Sequence, residues 1–308
     1  MPESDDFVEF GKTAGGGGAG RVRDTDWPNP AAHAFDDCIE EPGSPKPDPI
    51  LVATGVQRHF GGLTAVDVAT MQIQRGAITA LIGPNGAGKT TFFNLLSGFD
   101  RPDQGEVYFD GARITNVAPH LLAKRGMVRT FQLTKVLAKL SVLENMKLAG
   151  QLQAGESMWK ALLPPLWKHQ EKAIEAKALE ILDEFNMVHM QHEFAGALSG
   201  GQRKLLEMAR SMMTDPQVIM LDEPMAGVNP ALTQSLLGHV KRMRSQGITV
   251  VFVEHDMDVV RDISDWVVVM AEGIVVAEGR ASSVGANPAV IDAYLGTSHA
   301  ALTGEHTA

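Results

Sequence analysis

A glycine-rich stretch that ends in lysine and threonine, GPNGAGKT over residues 83–90, has the composition and spacing of a phosphate-binding loop. Its glycines allow backbone amides to turn inward around phosphate oxygens. Lys89 supplies a positive charge for the β- and γ-phosphates, and the hydroxyl of Thr90 can bind Mg²⁺. The apolar run ITALIG predicts a buried strand before the loop, and a predicted helix follows it. The stretch therefore predicts a site for the phosphates of a nucleotide.

Two adjacent carboxylates end a second apolar run, QVIMLDEP. Neighbouring residues of a strand point to opposite faces, but at the strand's exit both side chains can reach the crevice at the sheet edge. Asp222 suits the coordination shell of Mg²⁺, and Glu223 suits a general base that polarises the attacking water. Taken alone, the pair could equally be two solvated acids at a strand end. The phosphate-binding loop in the same chain favours catalysis.

Two further polar residues follow strand-like runs. His255, in VFVEHDM, is predicted to contact the γ-phosphate from the sheet edge. Gln132, in VRTFQ, carries a neutral amide that can hold water or Mg²⁺ without becoming a competing base. Neither residue alone would identify a catalytic site, because a lone histidine is more often structural.

A second candidate anion site is the helix start in ALSGGQRKLLEMAR, residues 197–210. Ser199 can cap the first turn and Gln202 can bond back to it, which is a capping box. Gly200 and Gly201 leave the amides of this helix start accessible to phosphate. Because the helix follows a predicted helical insertion, we expect it to close on the nucleotide of a second subunit in a two-fold, head-to-tail pair. ATP binding would close such a pair and hydrolysis would open it.

The remaining apolar patterns predict an α/β sheet interrupted by a helical insertion. In chain order the predicted strands are ILVATGVQ, AVDVATMQI, ITALIG, GEVYFDG, QVIML, ITVVFVE, WVVVMA and IVVAEG. Helices are predicted from Gly88 to about Ser97, over most of residues 133–197, from Pro230 to Ser245, over 256–263, and at the end near Leu295.

Charge and composition divide the chain into two parts. Residues 1–48 hold eleven Asp and Glu against four Lys and Arg and are rich in Gly and Pro, so we expect a disordered acidic extension. The rest carries −3 of the net charge of −10, without the basic surplus typical of nucleic-acid binding. No apolar run reaches the ~20 residues that span a bilayer, and the N-terminus has no apolar signal core. A single cysteine, Cys38, fits a reducing cytoplasm.

Five motifs in this order, GPNGAGKTT, RTFQ, LSGGQRK, VIMLDEP and VEHDM, resemble those of the ATP-binding cassette (ABC) ATPases. LSGGQ distinguishes that family from GTPases, kinases and helicases that share only the phosphate loop. The resemblance runs from about Ile50 to Leu295. It implies an α/β fold with a P-loop NTPase (ABC ATPase) core, a mixed sheet and a helical subdomain. The ABC ATPase domain would span 49–308, with its core at about 49–132 and 216–298 and the helical subdomain at about 133–215.

The resemblance also implies roles for single residues. Gln132 would couple the site to a transmembrane partner, His255 would be the switch histidine, and Phe60 in QRHFGG would stack on adenine. An aromatic between two strands is also often simple packing. The expected ATP-binding residues are Phe60, Gly83, Asn85, Gly86, Gly88, Lys89, Thr90, Thr91, Ser199, Gly200, Gly201 and Gln202. The expected Mg²⁺ ligands are Thr90, Gln132 and Asp222, and the expected catalytic residues are Glu223, His255 and Gln132.

A narrower resemblance is to the ATPase subunits of branched-chain amino-acid importers, carried by HFGGLTAVD, RTFQ, AGVNP and PAVIDAYLG. It implies a peripheral subunit on the cytoplasmic face of the cell membrane, bound to two transmembrane permeases and to a second ATPase subunit, identical or not. An external substrate-binding protein would act through the permeases, and no nucleic acid would take part. The alternatives are a urea or short-amide importer, an exporter, and a soluble ABC protein acting on ribosomes or DNA. The soluble class typically carries two cassettes or coiled-coil insertions, which this sequence lacks.

Overall fold

The computed structural model describes residues 28–130, 136–150 and 164–294. In this part of the chain the strands form one sheet of six and one of four. The expected α/β fold with a mixed sheet and a helical region is confirmed. Among the described helices, none has the length and apolar character needed to cross a bilayer.

The six-stranded sheet carries the phosphate-binding loop. Its strands are β3 (Ile78–Ile82), β6 (Met127–Arg129), β7 (Val218–Asp222), β8 (Thr249–Val253), β9 (Trp266–Ala271) and β10 (Ile274–Gly279). Their order is β10-β9-β3-β8-β7-β6, parallel throughout except that β10 runs antiparallel to β9. Every residue of β3, β7 and β8 is buried, as expected for strands covered on both faces. Val253 pairs with Leu81 on one side and with Asp222 on the other, so these three strands end at the same level.

The four-stranded sheet is antiparallel and lies on the other side of the first helix. Its strands are β1 (Pro49–Phe60), β2 (Leu63–Gln74), β4 (Gln104–Phe109) and β5 (Ala112–Arg113), in the order β2-β1-β4-β5. One apolar cluster joins the two sheets, and helix α1 (Lys89–Leu96) contributes Phe92, Phe93 and Leu96 to it. The helix that follows the phosphate loop is therefore held between two sheets.

The other helices mostly cover the opposite face of the six-stranded sheet. They are α2 (Pro119–Lys124), α3 (Val142–Ala149), α4 (Pro164–Glu184), α5 (Gly200–Met212), α6 (Pro230–Ser245), α7 (Met257–Ile263) and α8 (Ala281–Val284); residues 288–294 are also helical. A second apolar cluster joins α3, α4, α5 and α6 to that face. The helical insertion is thus present, and its limits at about 133 and 215 stay a prediction.

The N-terminal expectation is wrong over residues 28–48. Phe35 stacks on Trp266 of β9 at a centroid distance of 4.8 Å. The ammonium of Lys46 lies 3.3 Å from the carboxylate of Glu278, with both side chains fully buried. The segment packs because its few apolar and basic side chains find partners at the β9–β10 edge, which an acidic, Pro-rich average does not reveal. Residues 1–27 lie outside the described part of the chain.

Candidate active site

The phosphate-binding loop connects β3 to α1, and two of its glycines are required by close contacts. A Cβ atom on Gly83 would lie 2.0 Å from the carbonyl oxygen of Met270, and one on Gly88 would lie 2.3 Å from that of Ala65. Gly88 has φ +92° and precedes α1 without any side-chain cap. No side chain at Gly88 therefore accepts a hydrogen bond from the first amides of α1. These amides are suited to bind a phosphate.

Lys89 is the first residue of α1, directly after this loop. Its ammonium donates to the carbonyl oxygens of Gly83 at 2.7 Å and Pro84 at 2.8 Å. Burial lowers the pKa of Lys89, and the negative charge of Glu223 opposes that shift. Glu223 follows β7, which only β8 separates from β3, and these strands end at the same level. The predicted nucleotide loop and the predicted general base are thus in one site.

Asp222 ends β7 and is 7% exposed. Its Oδ2 accepts a hydrogen bond of 2.7 Å from the guanidinium of Arg129, which follows from β6 lying beside β7. Arg129 also donates to the Oδ1 of Asn94 at 2.6 Å and to the hydroxyl of Ser97 at 2.9 Å, both in or next to α1. Arg129 therefore connects the carboxylate of Asp222 to α1, the helix that begins with Lys89.

Glu223 and His255 lie just after the ends of the neighbouring strands β7 and β8, close to Asp222. Glu223 has a left-handed backbone, φ +46°, and its amide donates to the carbonyl of Val253 at 3.1 Å. The side chain of His255 is 65% exposed. His255 follows β8, and β8 lies between β3 and β7. His255 is therefore placed between the phosphate loop, which follows β3, and the two carboxylates at the end of β7. The arrangement provides a cation, an acid pair and an exposed imidazole at one sheet edge.

Oxygen donors are available there for a small divalent cation. Thr90 is exposed in the first turn of α1, and a carboxylate that accepts from Arg129 through Oδ2 can still offer its other oxygen. Hydroxyl and carboxylate oxygens are the ligands that Mg²⁺ prefers. No group of three His, Cys, Asp or Glu residues suited to a metal occurs among the described residues. Gln132, the third expected ligand, lies outside the described part.

The second candidate anion site has the predicted capping box. The hydroxyl of Ser199 accepts from the amide of Gln202 at 3.2 Å, and the side-chain oxygen of Gln202 accepts from the amide of Ser199 at 2.8 Å. Gly201 packs against α6, since a Cβ atom there would lie 1.8 Å from Leu232. Gly200 has open space apart from the Arg203 side chain at 4.0 Å. Hydrogen bonds and packing thus hold the helix start, and its outer side is accessible.

Phe60 ends β1 and is 50% exposed, with the guanidinium of Arg58 4.8 Å from its ring centroid. This exposure disfavours the interpretation of Phe60 as core packing. Asn85 is exposed in the phosphate loop and Thr91 is half-buried in the first turn of α1. These positions leave the three side chains accessible to a ligand.

Three charged residues of this region were missed by the motif analysis: Arg129, Lys204 and Glu254. The ammonium of Lys204, on α5, donates to the carbonyl oxygens of Glu223, Pro224 and Ala226. Glu254 directly follows β8 and is 2% exposed. The available signal was a charge at the end of an apolar run, as in VFVE and MVR, which predicts a buried charge needing a partner. The partners themselves are distant in sequence.

Two family models match the chain. The model described as ABC transporter matches residues 66–226. The model described as branched-chain amino acid ATP-binding cassette transporter matches residues 275–300. The two together span the phosphate loop, α5, both strand-end acids and the C-terminal helical residues.

Relatives and solved structures agree with these models. A protein of Archaeoglobus fulgidus named probable branched-chain amino acid transport ATP-binding protein LivG is 42% identical, with 80% of this chain and 95% of that protein covered. The Pseudomonas aeruginosa high-affinity branched-chain amino acid transport ATP-binding protein BraF is 39% identical, with 80% and 98% covered.

Two crystal structures of ATP-binding cassettes of ABC transporters superpose on the fold. One, described as nucleotide-free, has a TM-score of 0.69 and 38% identity, with 80% of this chain and 98% of that chain covered. The other, described as an ADP conformation, has a TM-score of 0.69 and 37% identity, with 80% and 99% covered. This chain belongs to the ABC transporter family, as one of its ATP-binding cassette ATPases.

Proposed function

We propose that this chain is the ATP-hydrolysing subunit of an importer of branched-chain amino acids. The observation that carries the proposal is the agreement between the C-terminal match at residues 275–300 and the relatives, whose names all refer to branched-chain amino-acid transport. The site at the sheet edge supplies the chemistry for hydrolysis. No observation favours urea, export or a soluble role over this assignment.

In this proposal the phosphates of ATP bind over the loop, against the first amides of α1 and the ammonium of Lys89. Glu223 accepts the proton of the attacking water, and His255 contacts the γ-phosphate. Thr90 and Asp222, with Gln132, would hold Mg²⁺, which when bound neutralises charge on the β- and γ-phosphate oxygens. The exposed ring of Phe60 would stack on adenine.

Two subunits would pair head to tail, each offering Ser199, Gly200, Gly201 and Gln202 to the ATP of the other. Support comes from the capping box, which leaves this helix start ordered, and from its separate location on the helical region. The pair would sit on two transmembrane permeases at the cytoplasmic face of the membrane, fed by an external substrate-binding protein. The second ATPase subunit would be either a copy of this chain or a non-identical ATPase.

Uptake of labelled leucine tests the proposal in cells whose only copy of the protein carries Glu223→Gln. Uptake should fall to background, while Glu180→Gln, an exposed acid on α4, should leave it unchanged. Loss of labelled urea uptake instead would assign the chain to another importer. Normal uptake of both compounds by Glu223→Gln would overturn the importer assignment and leave the ATPase assignment intact.

A further inference from the structure

The loop that begins with Glu223 is held by a lysine from another element. The ammonium of Lys204 donates to three carbonyl oxygens of this loop: Glu223 at 3.2 Å, Pro224 at 3.0 Å and Ala226 at 2.6 Å. Lys204 belongs to α5, the helix that Ser199 caps. Three carbonyls converging on one ammonium satisfy the three donors that a lysine has.

A buried carboxylate holds the same loop from the other side. Glu254 accepts from the amide of Met225 at 2.9 Å through one oxygen and from the amide of His255 at 3.3 Å through the other. Its side chain is 2% exposed. Glu254 thereby joins the loop of the expected base to the backbone of the expected γ-phosphate contact.

The loop needs such support because its first residue is strained. Glu223 has φ +46°, a left-handed conformation that a non-glycine residue keeps only where its surroundings impose it. Carbonyl oxygens point to the cation and the amide of Met225 points to the anion, so the backbone dipoles match both charges. Burial lowers the pKa of Lys204 and raises that of Glu254, and the charge of Glu254 works against the shift at Lys204.

We propose that Lys204 and Glu254 are positioning residues that hold the loop over residues 223–226 and so direct the Glu223 carboxylate at the attacking water. The inference rests on the proposed role of Glu223 as the base. The inference also connects two sites through α5. The start of this helix carries the residues offered to the partner's ATP, and Lys204, four residues after Gly200, holds the loop that carries the base of its own subunit.

Steady-state ATP hydrolysis by the full chain tests this with paired variants. Lys204→Met should lower kcat about 100-fold, as expected when a catalytic group is displaced by about 1 Å, with the KM for ATP changed less than about twofold. Lys204→Arg, which can still donate to the carbonyls, should recover most of the rate. Lys172→Met, an exposed lysine on α4, is the matched control. Glu254→Leu should behave like Lys204→Met, and Glu254→Gln, which keeps an acceptor for Met225, should stay near the parent.

A double-mutant cycle separates positioning from a general loss of structure. If Lys204 acts through Glu223, adding Lys204→Met to Glu223→Gln should change the residual rate less than roughly threefold. An equal loss in both backgrounds, or a normal kcat for Lys204→Met, would overturn the inference while leucine uptake still tested the importer assignment. If Glu223→Gln itself hydrolysed ATP normally, the role of the base would be wrong instead.

Discussion

The guanidinium of Arg129 lies 2.7 Å from the carboxylate of Asp222, and the two side chains are 7% and 8% exposed. Arg129 is the last residue of β6 and Asp222 the last of β7, so parallel strands bring together residues 93 positions apart in sequence. The same guanidinium contacts the rings of Phe93 and Phe99 at 4.8 and 5.1 Å. Protein contacts alone therefore orient the side chain of Asp222.

Removing Arg129 should destabilise the fold strongly. Arg129→Gln leaves Asp222 buried without its cation, and breaking a buried pair in this way costs about 3–5 kcal/mol. Urea denaturation measures the loss. Arg113→Gln breaks the exposed pair with Glu106, whose side chains are 58% and 42% exposed, and should cost below about 1 kcal/mol. Equal costs for the two variants would contradict this account of the Asp222 pair.

Blocking the start of α5 should prevent pairing of subunits without preventing nucleotide binding. In the Glu223→Gln background, Ser199→Arg should bind ATP with nearly unchanged affinity but stay monomeric in sedimentation experiments with ATP. Ser141→Arg removes an equivalent capping box from α3 and should still form the dimer. Loss of ATP from the isolated Ser199→Arg subunit would show that this helix start serves its own nucleotide.

A methyl group on the phosphate loop should weaken nucleotide binding. Gly88→Ala places a Cβ atom 2.3 Å from the backbone carbonyl of Ala65 at a residue with φ +92°. We expect ATP affinity to fall at least about tenfold, with a loss of stability of roughly 1–3 kcal/mol. Titration with a fluorescent ATP analogue measures the affinity. Gly62→Ala, where the Cβ atom meets nothing within 4 Å and φ is not positive, should bind normally.

His239 should make the protein sensitive to acid. It lies on α6, is stacked on Phe185 at 4.2 Å, and burial together with the charge of Arg242 lowers its pKa from 6.5 to about 4. His239 therefore binds a proton more readily in the unfolded chain than in the folded one. The contribution of the neutral histidine to the free energy of unfolding is complete above about pH 6.5 and is lost as the pH falls towards 4. The loss should reach about 3 kcal/mol.

Denaturation curves at pH 7 and pH 4.5 measure this dependence for the parent and for His239→Leu. The difference between the two proteins isolates the histidine, because the buried carboxylates Glu254, Asp265 and Glu278, whose pKa values are raised, are common to both. A parent and variant that lose stability in parallel would show that His239 is not the sensitive group.

Local patterns predicted much of the site and the fold. The loop at Lys89, the capping box at Ser199 and the strand end at Asp222 each depend on contiguous residues, and the structure has these local features where the sequence predicted them. The strand before His255 is present too, but it ends at Val253, two residues earlier than predicted. Pairings between distant elements were not predictable in the same way. The contacts of Arg129 with Asp222 and of Lys204 with the Glu223 loop require the strand order and the docking of α5, which no short pattern encodes.

For the N-terminal segment, an average over many residues gave a wrong prediction. Averaged over 48 residues, its charge and proline content indicate disorder, yet single residues decide whether a segment packs. Phe35 covers Trp266, and Lys46 neutralises Glu278 inside the β9–β10 edge.

The pairing of Lys46 with Glu278 has a consequence for how the protein is made. The two residues are 232 positions apart, so Lys46 leaves the ribosome long before its partner exists. At 5–20 residues per second the wait is on the order of ten to fifty seconds. During this interval Phe35 and Lys46 lack their partners Trp266 and Glu278, so the lysine that is buried in the finished protein is solvated. The segment over residues 28–48 is thus synthesised early, but it can complete its packing only after β9 and β10 have been made.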